Sequence, residues 1–131
     1  MITEDYVSYE VAKLLKEKGF DENCSHFYRV DGEHECCYKA KLPRLTNNDI
    51  RSHDDWVNRV FACTCPTLQM AMKWLRKVHN ILIVIDKGED FYAWQLENNT
   101  TGEYLGDIVG ECKSYEQACE AAIKYCLKNL V

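Results

Sequence analysis

An α+β fold is the class this sequence predicts, and three observations predict it. Apolar residues recur at helical spacing in three separate stretches, the intervening runs are short and rich in β-formers, and the connections between the last β-prone runs favour antiparallel neighbours. A chain of 131 residues without repeats or low-complexity segments reads as a single compact domain over 1–131. It is long enough to bury a core without a disulfide or a metal as staple.

Taken in order, the first helix is expected over about Tyr9 to Lys18, with Ser8 as its cap and Val11, Leu14 and Leu15 as its apolar stripe. Gly19 suits the left-handed position after the helix, with Phe20 folding back onto it. A β-hairpin follows, Phe27 to Val30 and Glu33 to Lys39, joined by Asp31-Gly32 as a two-residue turn. The polar stretch from Lys41 to Asp55 reads as loop, and Trp56 to Ala62 as a strand. A second helix is expected from the Thr67 cap to about His79, where Leu68, Ala71, Trp74, Leu75 and Val78 share a face and Asn80 ends the run. Ile81 to Ile85 shows no alternation and reads as a central strand buried on both faces. It is followed by strands over Phe91 to Glu97 and about Glu103 to Val109, and by a last helix from the capping box at Ser114 to Gln117. The expected architecture is an N-terminal helix, β-hairpin, strand, helix, three-stranded antiparallel meander and a C-terminal helix packed on the sheet.

Composition narrows the function. Hydrophobic residues make up 47% and charged residues 28%, which is the balance of a folded domain rather than a disordered chain. A net charge of −5 argues against a nucleic-acid partner, because duplex binding needs a basic surface. The basic groups Lys39, Lys41 and Arg44, and Lys73, Arg76 and Lys77, read as solvated faces. The beginning of the chain lacks a basic then apolar leader, and Ile81 to Ile85 is too short to cross a bilayer. The expectation is a cytoplasmic protein, without membrane association, whose eight cysteines stay as free thiols.

The stretch "CSHFYRVDGEHECC", residues 24 to 37, concentrates cysteine and histidine around the Asp-Gly turn. With a two-residue turn, Cys24, His26 and Cys37 share one face, and Glu35 on that face can complete a four-ligand zinc set. No zinc-finger spacing fits, and ordinary strands explain the same residues, so no metal or other cofactor is the leading reading and zinc the alternative. Cys65 precedes the second helix and is the candidate reactive thiol, because a helix N-terminus stabilises a thiolate. Its motif is Cys-x-Cys rather than the redox Cys-x-x-Cys, and burial suits it equally. Cys119 and Cys126 lie two turns apart on one helical face and read as core. Tyr92, Trp94 and Tyr104 are surrounded by Glu97, Glu103 and Asp107, which suits a core or a protein interface better than a base-stacking platform. Asp54-Asp55 and Glu89-Asp90 read as solvated turn carboxylates, and no catalytic constellation or phosphate loop is present.

Three stretches, "EDYVSYEVAKLLKEKGF" (4 to 20), "PTLQMAMKWLRKVHNI" (66 to 81) and "SYEQACEAAIKYCLKNL" (114 to 130), resemble a family of small proteins of gut Bacteroidetes and of their phages and mobile elements. The resemblance covers the three helices and implies an intracellular, phage-linked protein; it carries no activity and no catalytic residues. The last helix also has a looser similarity to antitoxin-like domains in which a strand runs into a "T/S-x-E-E-A" helix, at Ser114, Glu116 and Ala118. Together these readings favour a small acidic non-enzymatic protein-binding module. The alternative is a metal- or thiol-dependent protein using Cys24, His26 and Cys37, or Cys65.

Overall fold

The computed structural model describes residues 2–52, 61–106 and 110–131. The fold is α+β, with two three-stranded antiparallel sheets. The chain divides into two compact units, Tyr6–Thr67, and Leu68–Val131 together with Met1–Asp5.

The unit Tyr6–Thr67 holds α1 (Tyr9–Glu17), β1 (His26–Arg29), β2 (His34–Cys36), α2 (Asn47–Ser52) and β3 (Phe61–Thr64). Helix α1 starts as the sequence predicts, with the Ser8 hydroxyl accepting from the Val11 N–H at 3.3 Å. Its end satisfies two orphan carbonyls at once: the Gly19 N–H donates to Lys16 and the Phe20 N–H to Leu15, with Gly19 at φ +92°. Phe20 is thereby turned inward and is fully buried, as are Val11, Ala12 and Leu15 of the helix.

The sheet order is β2–β1–β3, and its register differs from the sequence expectation by one residue. The pairs are His26 with Cys36, Phe27 with Glu35 and Tyr28 with His34. The reason is the turn. Val30-Asp31-Gly32 is a three-residue loop closed by the Gly32 N–H on the Arg29 carbonyl at 2.9 Å, and Gly32 takes the left-handed conformation at φ +89°. Asp31 holds the loop from outside, its carboxylate accepting from the Glu33 N–H at 3.0 Å. One residue more in the turn moves every side chain of β2 to the opposite partner.

Helix α2 lies inside the stretch that reads as loop. Its signal is a capping box built from Thr46 and Asp49: the Thr46 hydroxyl accepts from the Asp49 N–H at 3.0 Å, and the Asp49 carboxylate accepts from the Thr46 N–H at 2.9 Å. Asn47, fully buried, then uses both ends of its amide. It donates to the Phe20 carbonyl at 2.7 Å and accepts from the Thr64 N–H at 3.0 Å. Of the strand expected over Trp56 to Ala62, Phe61 and Ala62 lie in β3, which runs on to Thr64; positions 53–60, with Asp54 and Asp55, lie outside the described residues.

The second unit holds α3 (Leu68–His79), β4 (Ile81–Lys87), β5 (Tyr92–Asn98), β6 (Gly110–Cys112) and α4 (Tyr115–Asn129). Asn80 ends α3 in the left-handed conformation at φ +58°. Ser114 caps α4 by accepting from the Gln117 N–H at 3.1 Å, while the Gln117 side chain reaches the Lys113 N–H at 3.2 Å, one residue before the cap. The strand order is β4–β5–β6, so the described sheet is centred on β5 and the Ile81 to Ile85 run is not its middle. Within that run Ile81 and Ile83 are buried, while Leu82, Val84 and Ile85 are half-buried. Helices α3 and α4 pack on each other and cover the Ile81, Ile83, Trp94 and Leu96 face. Of the third strand, expected over about Glu103 to Val109, residues 103–106 form only the bridge from Glu97 to Tyr104, residues 107–109 lie outside the described residues, and β6 pairs with β5 at Gly110–Cys112. Cys119, Ala122 and Cys126 form a fully buried stripe on α4, as the seven-residue spacing predicts. Among the described residues no helix is long and apolar enough to cross a membrane.

Two substitutions test this packing. The Trp94 indole lies over Gly110, where an added Cβ would stand 1.9 Å from the indole Nε1. Gly110→Ala is expected to cost about 1–3 kcal/mol, the usual range for overpacking, measured by urea denaturation; an unchanged midpoint would mean the ring does not rest there. Asn47→Ala leaves the Phe20 carbonyl and the Thr64 N–H without their partner and is expected to cost about 2–4 kcal/mol.

Candidate functional site

The hairpin puts an aromatic and imidazole cluster on one face. The Arg29 N–H donates to Glu33 and the Cys37 N–H donates to Ser25, at 2.9 and 2.8 Å. Alternation between those bonds makes His26 with Cys36 and Tyr28 with His34 non-hydrogen-bonded pairs, whose side chains approach most closely. On that face His26 Nδ1 and His34 Nε2 stand 3.0 Å apart, one ring donating and the other accepting. Tyr6 lies against both rings, with centroids 4.3 Å from His26 and 5.1 Å from His34. Tyr28 closes the other side of His34 at 5.1 Å, held by its buried hydroxyl donating to the Val7 carbonyl at 2.7 Å.

Burial lowers the affinity of both imidazoles for a proton. For His26, the neighbouring His34 and Lys39 add to the effect; for His34, Glu35 opposes it. Both shifts favour the neutral imidazole, and the hydrogen bond between the two nitrogens requires at least the accepting ring to be neutral.

The four residues of the sequence-based zinc set do not come together. His26 faces His34, whereas Cys37 is buried in a cluster with Phe27 and Leu45. Glu35, opposite Phe27, pairs with Arg29 at 3.7 Å. Cys24 is buried where its thiol meets the Glu22 carbonyl at 3.5 Å, and burial pushes that thiol up to about 11. The physical cause is the turn: a register of one residue more transfers His26 and Cys37 to opposite faces. Among the described residues no group of three or more His, Cys, Asp or Glu side chains is placed to hold one ion.

Cys65, the candidate reactive thiol, is 1% exposed, and its Sγ contacts the Val7 and Pro66 carbonyls at 3.6 and 3.9 Å rather than solvent. Its neighbour Cys63 is pushed up to about 12 by burial, against a smaller opposing pull from Lys16 and Lys13. Cys126 is pushed up to about 12 for the same reason, and burial also raises Cys37 and Cys119. These sulfurs behave as small apolar side chains.

A second surface lies on the meander. Pairing places Leu82 with Glu97, Val84 with Gln95 and Asp86 with Ala93 on the face turned away from α3 and α4. Glu111 joins that face beside Ala93, and Tyr104 beside Glu97, with Tyr104 67% exposed. The three aromatic residues of the sequence analysis thus separate: Tyr92 and Trp94 point to the helix side, Tyr104 to the opposite one. The result is a half-buried centre of Leu82, Val84 and Ala93 with Gln95 among them, its amide donating to Asp86 at 3.4 Å, and acidic Asp86, Glu97 and Glu111 around it.

No family model, no curated protein and no solved structure matches this chain. Sequence reasoning missed one member of these sites: His34 is visible as a histidine but falls on the wrong face without the third turn residue. Tyr104, read from the sequence together with Tyr92 and Trp94, is parted from them by its bridge to Glu97.

The thiols supply a test. Cys36 and Cys112 are half-buried, and the other six cysteines are buried. At pH 8 an aromatic disulfide reagent is expected to label Cys36 and Cys112 in the native protein and the rest only on unfolding. For Cys63, raised from 9.0 to about 12, the thiolate is roughly a thousandfold scarcer than for a free thiol. Fast native labelling of Cys65 would instead revive it as a reactive group.

Proposed function

We propose that the chain is a non-enzymatic protein-binding module that works inside the cell, and that the open meander face docks a basic segment of a protein partner. One observation supports this most directly: the apolar patch of Leu82, Val84 and Ala93 is rimmed by Asp86, Glu97 and Glu111 and carries the exposed ring of Tyr104. Protein interfaces combine such an apolar centre with a polar rim, and tyrosine is among the residues most often found as an anchor there. The acidic rim, in a chain of net charge −5, favours a partner rich in Lys and Arg through complementary charge and faster encounter. The absence from the sequence of a catalytic constellation or phosphate loop is in keeping with a binding role. An origin in a phage or mobile element, which the resemblance of the helices implies, fits an acidic module that occupies a basic site on a host protein.

The test is a titration of the labelled protein with Lys/Arg-rich peptides, followed by backbone NMR. Shifts are expected to concentrate on β4, β5, β6 and Tyr104 and to weaken as salt rises. Tyr104→Ala, and separately Glu97→Lys with Glu111→Lys, are each expected to reduce affinity about tenfold, or about 1.4 kcal/mol. Binding that maps elsewhere, or that survives both changes, would overturn the proposal.

A further inference from the structure

The face of the hairpin carries a separate possibility that the docking surface does not use. Two neutral imidazoles converge there, and their near nitrogens are at the spacing of two adjacent ligands on one metal ion. We propose that His26 Nδ1 and His34 Nε2 form a two-histidine site for a divalent ion of square-planar or tetragonal preference, copper(II) or nickel(II), whose remaining positions are filled by solvent.

The bite of the pair favours such an ion. Metal–nitrogen bonds to histidine are about 2.0–2.1 Å long. Two such bonds ending on nitrogens 3.0 Å apart enclose an angle of about 91–97°. That is close to the right angle between neighbouring ligands of a tetragonal ion and well short of the tetrahedral angle preferred by zinc. Imidazole nitrogen is a suitable donor for copper and nickel, and copper(II) heads the affinity order of the divalent first-row ions.

Order in the two side chains also favours binding. A pair of surface histidines usually loses side-chain freedom when it chelates, and that loss weakens binding. Here the rings are already ordered. They belong to neighbouring non-hydrogen-bonded positions of β1 and β2, Tyr6 lies against both, and Tyr28 flanks His34. Tyr28 is itself anchored by its hydroxyl on the Val7 carbonyl. An ion enters from the exposed outer side of His34, and both rings turn so that the nitrogens facing each other across the hydrogen bond converge on the ion instead.

Proton balance is also simple. One proton lies between the two near nitrogens when the rings are hydrogen-bonded to each other. When an ion takes that place, the ring that carried the proton there holds it on its other nitrogen, so both imidazoles stay neutral and no net proton is released. The ion replaces a hydrogen bond with two coordinate bonds. Cys36 stands opposite His26 across the strands, but the site as proposed does not require its sulfur.

The experiment uses the full chain, kept reduced and then freed of reductant, with nickel(II) as the first probe because it does not oxidise thiols. Sub-stoichiometric nickel(II), six-coordinate with solvent in its other positions and therefore paramagnetic, is expected to broaden the NMR signals of His26, His34, Tyr6 and Tyr28 before any others, with saturation at one ion per chain. Zinc(II) is expected to bind at least about tenfold more weakly than copper(II), following the affinity order and the bite angle. His26→Asn and His34→Asn are each expected to abolish the selective broadening and weaken nickel by about tenfold or more, while circular dichroism confirms that both variants stay folded. Cys36→Ser is expected to leave binding unchanged. Broadening centred on the cysteines or the chain's first residues, survival of binding in either histidine variant, or loss of binding in Cys36→Ser would overturn the two-histidine site.

Discussion

The residue count of one turn governs most of what the chain can do chemically. Strand side chains alternate with a period of two, so the loop Val30-Asp31-Gly32 decides which cysteines and histidines share a face. With Gly32 in the left-handed conformation the loop takes three residues, and Phe27 and Cys37 go into the core while His26, Tyr28 and His34 gather on the other face. The core contact reinforces the same frame: Phe27 is 2% exposed and meets Phe61 with ring centroids at 4.6 Å. A slip by one residue would expose Phe27 and bury His26. Apolar burial worth about 2 kcal/mol for a side chain of that kind holds the register, and the imidazole pair is its by-product.

What the sequence made legible follows from how local each signal is. The helix caps at Ser8 and Ser114 and the left-handed stops at Gly19 and Asn80 depend on a few adjacent residues, and all four fall where the pattern puts them. Helix α2 was not legible because its stability is tertiary. Its six residues carry a single strong apolar side chain, Ile50, and the helix is tied down by Asn47 to backbone groups at Phe20 and Thr64. Ile81 to Ile85 misled for a related reason. An unbroken apolar run signals burial on both sides, yet Leu82 and Val84 lie on the half-exposed face opposite the helices. The run records a surface with an apolar centre, which composition alone cannot separate from a core strand.

The cysteines illustrate the same difference between residue type and residue environment. A sequence with eight of them invites a metal or redox reading. Burial removes the thiolate on which both chemistries depend, and it does so most strongly at Cys63 and Cys126, each pushed up to about 12. Histidine responds to burial in the opposite functional sense. Losing affinity for a proton leaves its nitrogen lone pair available, so partial burial that silences a thiol prepares an imidazole as a ligand. The hairpin contains both residue types within fourteen positions, and the side of the sheet each occupies sets its chemistry.

The meander face shows how core packing can shape a surface that takes no part in it. Trp94 is 6% exposed and lies across Gly110, the residue opposite it on β6. Only a residue without a side chain permits that approach, so the strand is held against β5 from its buried side. Alternation then turns the next residue, Glu111, outward beside Ala93. On the other flank the Glu97 to Tyr104 bridge does the same for the tyrosine. Ring contact between Trp94 and Tyr125 of α4, at 5.6 Å between centroids, ties this arrangement to the C-terminal helix. The acidic rim is therefore positioned by an indole, a glycine and a helix on the opposite side of the sheet, and a change among those three alters the spacing of Glu97, Glu111 and Tyr104 without touching any of them.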